Sequence, residues 1–175
     1  MDNLIIRPSR DEDVPALHAI YAHSVATETA SWEYEPPTLA EFAQRRQNIL
    51  AQGFPYITAE LDGRPVGYSY ASSYRARIGY RFLVEDSVYV AQDAAGRGIG
   101  KTLMQTLIDE CARLGFRQMI AVIGDSANIR SIKLHEACGF RHVATFNHIG
   151  WKFGRWLDSV QMQRALGEGA STLAG

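Results

Sequence analysis

Val84-Glu-Asp-Ser-Val-Tyr-Val90 leads through Ala91-Gln-Asp-Ala-Ala95 into Gly96-Arg-Gly-Ile-Gly-Lys-Thr102, and this stretch decides the fold. The first seven residues are rich in β-branched and aromatic types and read as the end of a strand beginning near Phe82. After the glycines, Ile99, Leu103, Met104, Leu107, Ile108 and Cys111 recur at helical spacing. Glycines at 96, 98 and 100 therefore sit between a strand and a helix N-terminus. There the backbone can approach an anion closely and aim unpaired amides at it. A tight turn is the plainer reading of three glycines, and only the strand-to-helix setting favours phosphate binding.

Two nucleotide folds compete for this loop. A dinucleotide fingerprint needs GxGxxG, but the third position after Gly98 is Lys101, and no convincing acidic ribose partner follows. A P-loop fits better, since residues 95–102 read AGRGIGKT and depart from GxxxxGK[ST] only at Ala95. The loop nevertheless comes late in a short chain, with little left to build the usual nucleotide-binding sheet.

Working outward, residues 11–25 form a periodic helix with Val14, Leu17, Ile20, Tyr21 and Val25 on one stripe and Asp11 placed to cap it. Thr38-Leu-Ala-Glu41 is a capping box that starts a second helix ending at Gly53. Residues 56–61 and 66–70 flank Asp62-Gly63, the signature of a tight antiparallel hairpin. Residues 117–123 read as a buried strand and 128–137 as a short helix leaving through Gly139; further strands are expected at 141–147 and 157–163. One domain over residues 1–166 is expected, with a small polar tail, 167–175, lacking structure.

With 175 residues and 46% hydrophobic content, the chain can bury one sizeable core. A net charge of -1 and a pI near 6.5 argue against a nucleic-acid partner. Residues 1–8 lack a signal-peptide pattern and no window suits a membrane span, so a cytoplasmic location is expected. Cys111 and Cys138 form no CxxC motif and read as buried free thiols. His135 begins HEACG, not HExxH, because Gly139 stands where a second ligand would be; no metal is expected.

With Arg97-Gly-Ile-Gly100 following the Val84–Val90 stretch, and residues 128–140 closing the unit, the chain resembles the GNAT N-acetyltransferase superfamily. Within it, the sequence is similar to the phosphinothricin and methionine sulfoximine acetyltransferases. The likeness extends from Ile5-Ile-Arg-Pro8 through Trp32-Glu-Tyr-Glu-Pro36 to Lys152-Phe-Gly-Arg-Trp-Leu-Asp158. The resemblance implies an α/β fold in which a mixed, strongly twisted sheet is flanked by helices and acetyl-CoA enters where two central strands part. It also implies that Val88, Tyr89 and Val90 pair with the pantetheine arm, that Gly96, Arg97, Gly98, Ile99, Gly100, Lys101 and Thr102 surround the pyrophosphate, and that Asn128 and Ser131 meet the pantetheine end. The superfamily loop usually carries Gln or Arg where this chain has Ala95. Since backbone amides make most such phosphate contacts, the expected effect is weaker coenzyme affinity.

Acetyl transfer needs a neutral amine, a proton acceptor and a donor for the developing oxyanion. Glu85 matches the family's catalytic glutamate, and an apolar strand would raise its pKa. Without the resemblance, an exposed or paired strand acid would be the commoner reading. His135 matches a histidine to which the phosphinothricin branch gives a role in proton handling; helix packing explains it equally well. Arg75 and Arg77, two apart, can project to one side of an extended segment and clamp a carboxylate or phosphinate; a solvated surface pair is the alternative. The resemblance adds Tyr80, Trp32 and Ser87 to the acceptor site. It also implies a small-molecule amine substrate and a homodimer. A different acceptor, such as a peptide N-terminus or a polyamine, and a non-catalytic coenzyme-A sensor are the competing functions.

Overall fold

The computed structural model describes residues 3–173. Seven strands and four helices follow in the order β1 (Leu4–Pro8), α1 (Val14–Thr27), α2 (Leu39–Ala51), β2 (Tyr56–Leu61), β3 (Arg64–Ser73), β4 (Leu83–Val90), α3 (Ile99–Arg113), β5 (Gln118–Gly124), α4 (Ile129–Ala137), β6 (Arg141–Lys152) and β7 (Arg155–Ala165). The strands form one open sheet in the order β1-β2-β3-β4-β5-β7-β6. Every neighbouring pair is antiparallel except β4–β5. This is the mixed α/β sheet expected from the sequence.

Two apolar clusters cover the two faces. On one, Ile99, Leu103, Met104, Leu107, Ile108 and Cys111 of α3 pack on Val66, Val84, Met119 and Met162. Each such side chain contributes roughly 1.5–3 kcal/mol when fully buried. On the other, Val14 and Leu17 of α1 and Phe42 of α2 pack on Tyr56 and Tyr68, with Tyr70 and Tyr89 at the margin. Val66 and Tyr68 share a parity yet face opposite ways, because the β2–β3 register shifts at Ala59/Glu60 and a bulge changes which side the following residues occupy. Gly67 lies close under the next strand, where a Cβ would stand 2.9 Å from the Tyr89 carbonyl oxygen.

Local rules account for most boundaries. Thr38 and Glu41 form the expected capping box, Thr38 Oγ1 accepting from the Glu41 N–H at 3.2 Å and Glu41 from the Thr38 N–H at 2.7 Å. Asp62 (φ 50°) and Gly63 (φ 81°) make the expected hairpin turn. At α1 the expectation needs correction: residues 11–13 form a separate 3-10 turn, Asp13 accepts from the Arg10 N–H at 2.8 Å, and Asp11 instead pairs with buried Arg46 at 2.7 Å.

Strand β1 was not foreseen; its Arg7 is tied to Asp13 and Glu60, each at 2.7 Å. Both β6 and β7 run longer than expected. Residues 167–173, for which composition suggests no structure, form turns in which Arg117 meets Glu168 at 3.3 Å and Thr172 at 3.0 Å. Residues 174 and 175 of that tail lie outside the described residues. Cys111 and Cys138 are buried free thiols.

Candidate active site

Parallel pairing between β4 and β5 covers only Leu83↔Gln118, Val84↔Met119 and Glu85↔Ile120. Beyond Glu85 the two strands part, although β4 continues to Val90 and β5 to Gly124. A parted pair leaves the backbone N–H and C=O groups that residues 86–90 turn away from β3 available to an extended ligand. A cavity of about 970 Å³ opens along this gap, lined by Val88, Tyr89, Val90, Gly96, Gly98, Ile99, Gly100, Lys101, Asn128 and Ser131. Its far wall comes from α1, through Ile20, which the sequence reading put on an apolar helix stripe, and through His23, Ser24 and Thr27, which it did not single out.

At one end of the cavity, Gly96 (φ 78°) and Gly98 (φ 79°) adopt left-handed backbone, which costs other L residues roughly 1–2 kcal/mol. Gly98 is the N-cap of α3 and has no side chain to answer the first-turn amides, so those donors and the helix dipole suit an anion. Gly100 lets α3 approach α4, with a Cβ there meeting Leu134 at 3.4 Å. Thr102 turns its hydroxyl back to the Gly98 carbonyl at 3.3 Å. Neither Thr102 nor Arg97 lines the cavity.

A smaller cavity of about 200 Å³ adjoins the first, sharing Ala30, Val88, Tyr89, Asn128 and Ser131 with it. Trp32, Glu85, Ser87 and His135 also line it, so the structure brings these predicted residues together. Burial, reinforced by the charge of Asp86, pushes the Glu85 carboxyl up to about 6. Trp32 is held over the site by a close approach: a Cβ on Gly150 would stand 2.0 Å from its ring. Gly124 plays the same part for Thr29, whose hydroxyl donates to the Gly124 carbonyl at 2.8 Å.

His135 is buried against Phe140 at 5.0 Å in an edge-to-face contact. Its Nδ1 donates to the Ser131 carbonyl at 2.8 Å while Nε2 meets Asp86 Oδ2 at 3.0 Å. With Nδ1 spent on a carbonyl, Nε2 and Asp86 can bond only if the pair holds one further proton between the ring and the carboxyl. Burial opposes the imidazolium, yet the Asp86 and Ser131 contacts hold its pKa above the ordinary histidine value. Asp86 was missed in the sequence. It lies in phase with Val84, Val88 and Val90, and an acid on an otherwise apolar strand face was the available signal.

Arg75, Arg77 and Tyr80 lie elsewhere, exposed on the β3–β4 connection, and none lines either cavity. The Arg75 guanidinium stacks over Tyr74 at 5.2 Å and Tyr80 at 6.0 Å. Arg77 precedes the 3-10 turn Ile78–Tyr80. Among the described residues no group of three or more His, Cys, Asp or Glu could hold a metal ion, and no helix is long and apolar enough to cross a membrane.

Residues 17–140 match the model of the Acetyltransferase (GNAT) family. A phosphinothricin N-acetyltransferase of Alcaligenes faecalis is 51% identical over 168 residues, covering 96% of this chain and 85% of the relative. An L-methionine sulfoximine/L-methionine sulfone acetyltransferase of Pseudomonas aeruginosa is 38% identical, covering 90% and 92%. A crystal structure of a phosphinothricin acetyltransferase from Sinorhizobium meliloti in complex with acetyl-CoA superposes with a TM-score of 0.95 at 45% identity, covering 98% of this chain and 93% of the other. With its parted central strands and glycine-capped helix, the chain belongs to the GNAT acetyltransferase family and is an acetyl-CoA-dependent N-acetyltransferase.

Proposed function

We propose that this enzyme acetylates the primary amine of a small anionic amino-acid-like substrate, of the kind named for its phosphinothricin and methionine sulfoximine relatives. The observation that carries the reading is Glu85, an acid pushed up to about 6, lining a small cavity beside the coenzyme cleft. Acetyl-CoA would lie along residues 88–90 with its pyrophosphate at the amides of residues 98–101. The amine would enter beneath Trp32, lose its proton to Glu85 and attack the thioester carbonyl directly; the C–S bond then breaks and coenzyme A leaves as the thiol after taking up a proton. An acid near 6 is mostly ionised at pH 7 yet basic enough to accept that proton.

His135 has both ring nitrogens engaged, and we assign it to holding Asp86 of β4 against α4 rather than to relaying a proton. Ser87 stays with the acceptor site, whose volume of about 200 Å³ suits an amino-acid-sized molecule better than a peptide chain. One solved relative, from Brucella melitensis at 40% identity, is described as a ribosomal-protein-alanine N-acetyltransferase, so peptide acceptors belong in the assay.

Arg75, Arg77 and Tyr80, though they line neither cavity, are proposed to capture the substrate's anionic end from the β3–β4 connection, since the small cavity is lined by no arginine or lysine. Changing Arg75 and Arg77 to Ala together should raise KM for an anionic amine at least tenfold. An unchanged KM would refute the clamp. A homodimer is proposed from the aromatic band Phe146, Trp151, Phe153 and Trp156 on the β6–β7 hairpin, each about half exposed. Such a band suits an interface core.

A further inference from the structure

We infer that Lys152 is a positioning residue for acceptor binding, a buried ammonium that fixes the loop carrying Trp32 over the cavity beside Glu85. Lys152 is only 1% exposed and enters from the end of β6. Its Nζ donates to the Glu28 carbonyl at 3.0 Å and the Ser31 carbonyl at 2.7 Å. Glu28 is the C-cap of α1, so the ammonium sits at the negative end of that helix and satisfies a carbonyl the helix leaves open. Ser31 is the residue before Trp32, and both line the acceptor cavity.

Phe153 (φ 54°) and Gly154 (φ 72°) make the two-residue hairpin turn that follows Lys152, and the Phe153 ring lies 4.8 Å from the Lys152 ammonium. Burial pushes the Lys152 pKa down while the charges of Glu28 and Glu33 oppose that shift. Those two acids are themselves held, Glu33 by Arg45 at 2.6 Å and Glu28 by Arg130 at 3.5 Å. Tyr21 adds a 3.1 Å contact to the Ser31 hydroxyl from α1. A buried charge bonded to two backbone carbonyls fixes position, and the segment it fixes here walls the acceptor cavity through residues 30–32 and the edge of the larger cavity through residues 28–30. No reacting atom need touch Lys152.

The inference rests on the acceptor-site reading above. Its test is Lys152→Met, which keeps an unbranched apolar stem out to Cε and removes the ammonium, assayed with the amine that wild type turns over fastest. The amine KM should rise at least tenfold, and several-fold more than the acetyl-CoA KM, because Trp32 lines only the acceptor cavity and the amides of residues 98–101 are untouched. An unchanged amine KM in the folded variant, or an equal rise in both constants, would overturn the role. If Lys152→Met does not fold, Lys152→Gln serves instead, since its shorter neutral amide can donate to one of the two carbonyls but cannot hold both as the ammonium does. A selective rise then supports the inference, and unchanged constants overturn it. Glu85→Gln run alongside separates the two readings: it should lower kcat, and full kcat there would remove the acceptor-site reading itself, whatever Lys152→Met does.

Discussion

Replacing Glu85 by Gln removes the proposed base while keeping the size of the side chain. Burial and the charge of Asp86 hold the carboxyl at about 6 against an ordinary 4.5. With a pKa of 6, ~10/11 of the groups are ionised at pH 7 and ~1/11 at pH 5, whereas a group at 4.5 would still be ~3/4 ionised at pH 5. The assay is kcat/KM for the amine from pH 5 to 8, expressed as the ratio of wild type to Glu85→Gln, which cancels ionisation of the substrate. That ratio should plateau at roughly 10²–10⁴ above pH 7 and fall about tenfold by pH 5.

The same shift affects stability in the opposite direction. A carboxyl whose folded pKa lies above its unfolded value contributes stability at pH below 4.5, and this is lost as pH rises through 6. Above pH 7 the cost approaches about 2 kcal/mol, less what solvent screens. Glu85→Gln should therefore unfold a few degrees higher than wild type at pH 8, with the difference vanishing near pH 4. A ratio flat across pH 5 to 8, or a variant with full turnover, would refute Glu85 as the base.

Three further outcomes follow. Gly98→Ala forces a Cβ into left-handed backbone at φ 79°; it should cost roughly 1–2 kcal/mol in denaturant melts and raise the acetyl-CoA KM more than the amine KM. His135→Gln should destabilise the fold by about 3–5 kcal/mol near pH 6 because Asp86 is left buried and uncompensated. Since the His135 pKa is raised, the stability it supplies is complete below 6.5 and fades as pH climbs through the raised value, so the wild-type advantage should shrink toward pH 9. Phe146→Asp on the half-exposed hairpin band should convert a sedimenting dimer into monomer; an unchanged sedimentation coefficient would place any interface elsewhere.

What the sequence made legible was governed by local rules. The Thr38–Glu41 box, the Asp62-Gly63 turn and the strand–glycine–helix unit at residues 84–102 each follow from backbone geometry over a few residues, and each was placed correctly. Contacts made across long separations were not legible. Asp86 and His135 are 49 positions apart, and Lys152 and Ser31 are 121 apart. Neither pairing leaves a trace in spacing. The two-residue interval of Arg75 and Arg77 was readable, but their location outside both cavities depends on how the β3–β4 connection leaves the sheet. Turns at residues 167–173 escaped composition because they depend on Arg117 and on the buried Leu166.

The most direct test is release of coenzyme-A thiol from acetyl-CoA by the purified protein, with L-phosphinothricin, L-methionine sulfoximine, ordinary amino acids, a peptide and a polyamine offered in parallel. Saturable release with the anionic amino-acid analogues, and at most weak release with peptide and polyamine, is the predicted result. Release confined to the peptide or the polyamine would contradict the proposed acceptor while leaving acetyl transfer in place.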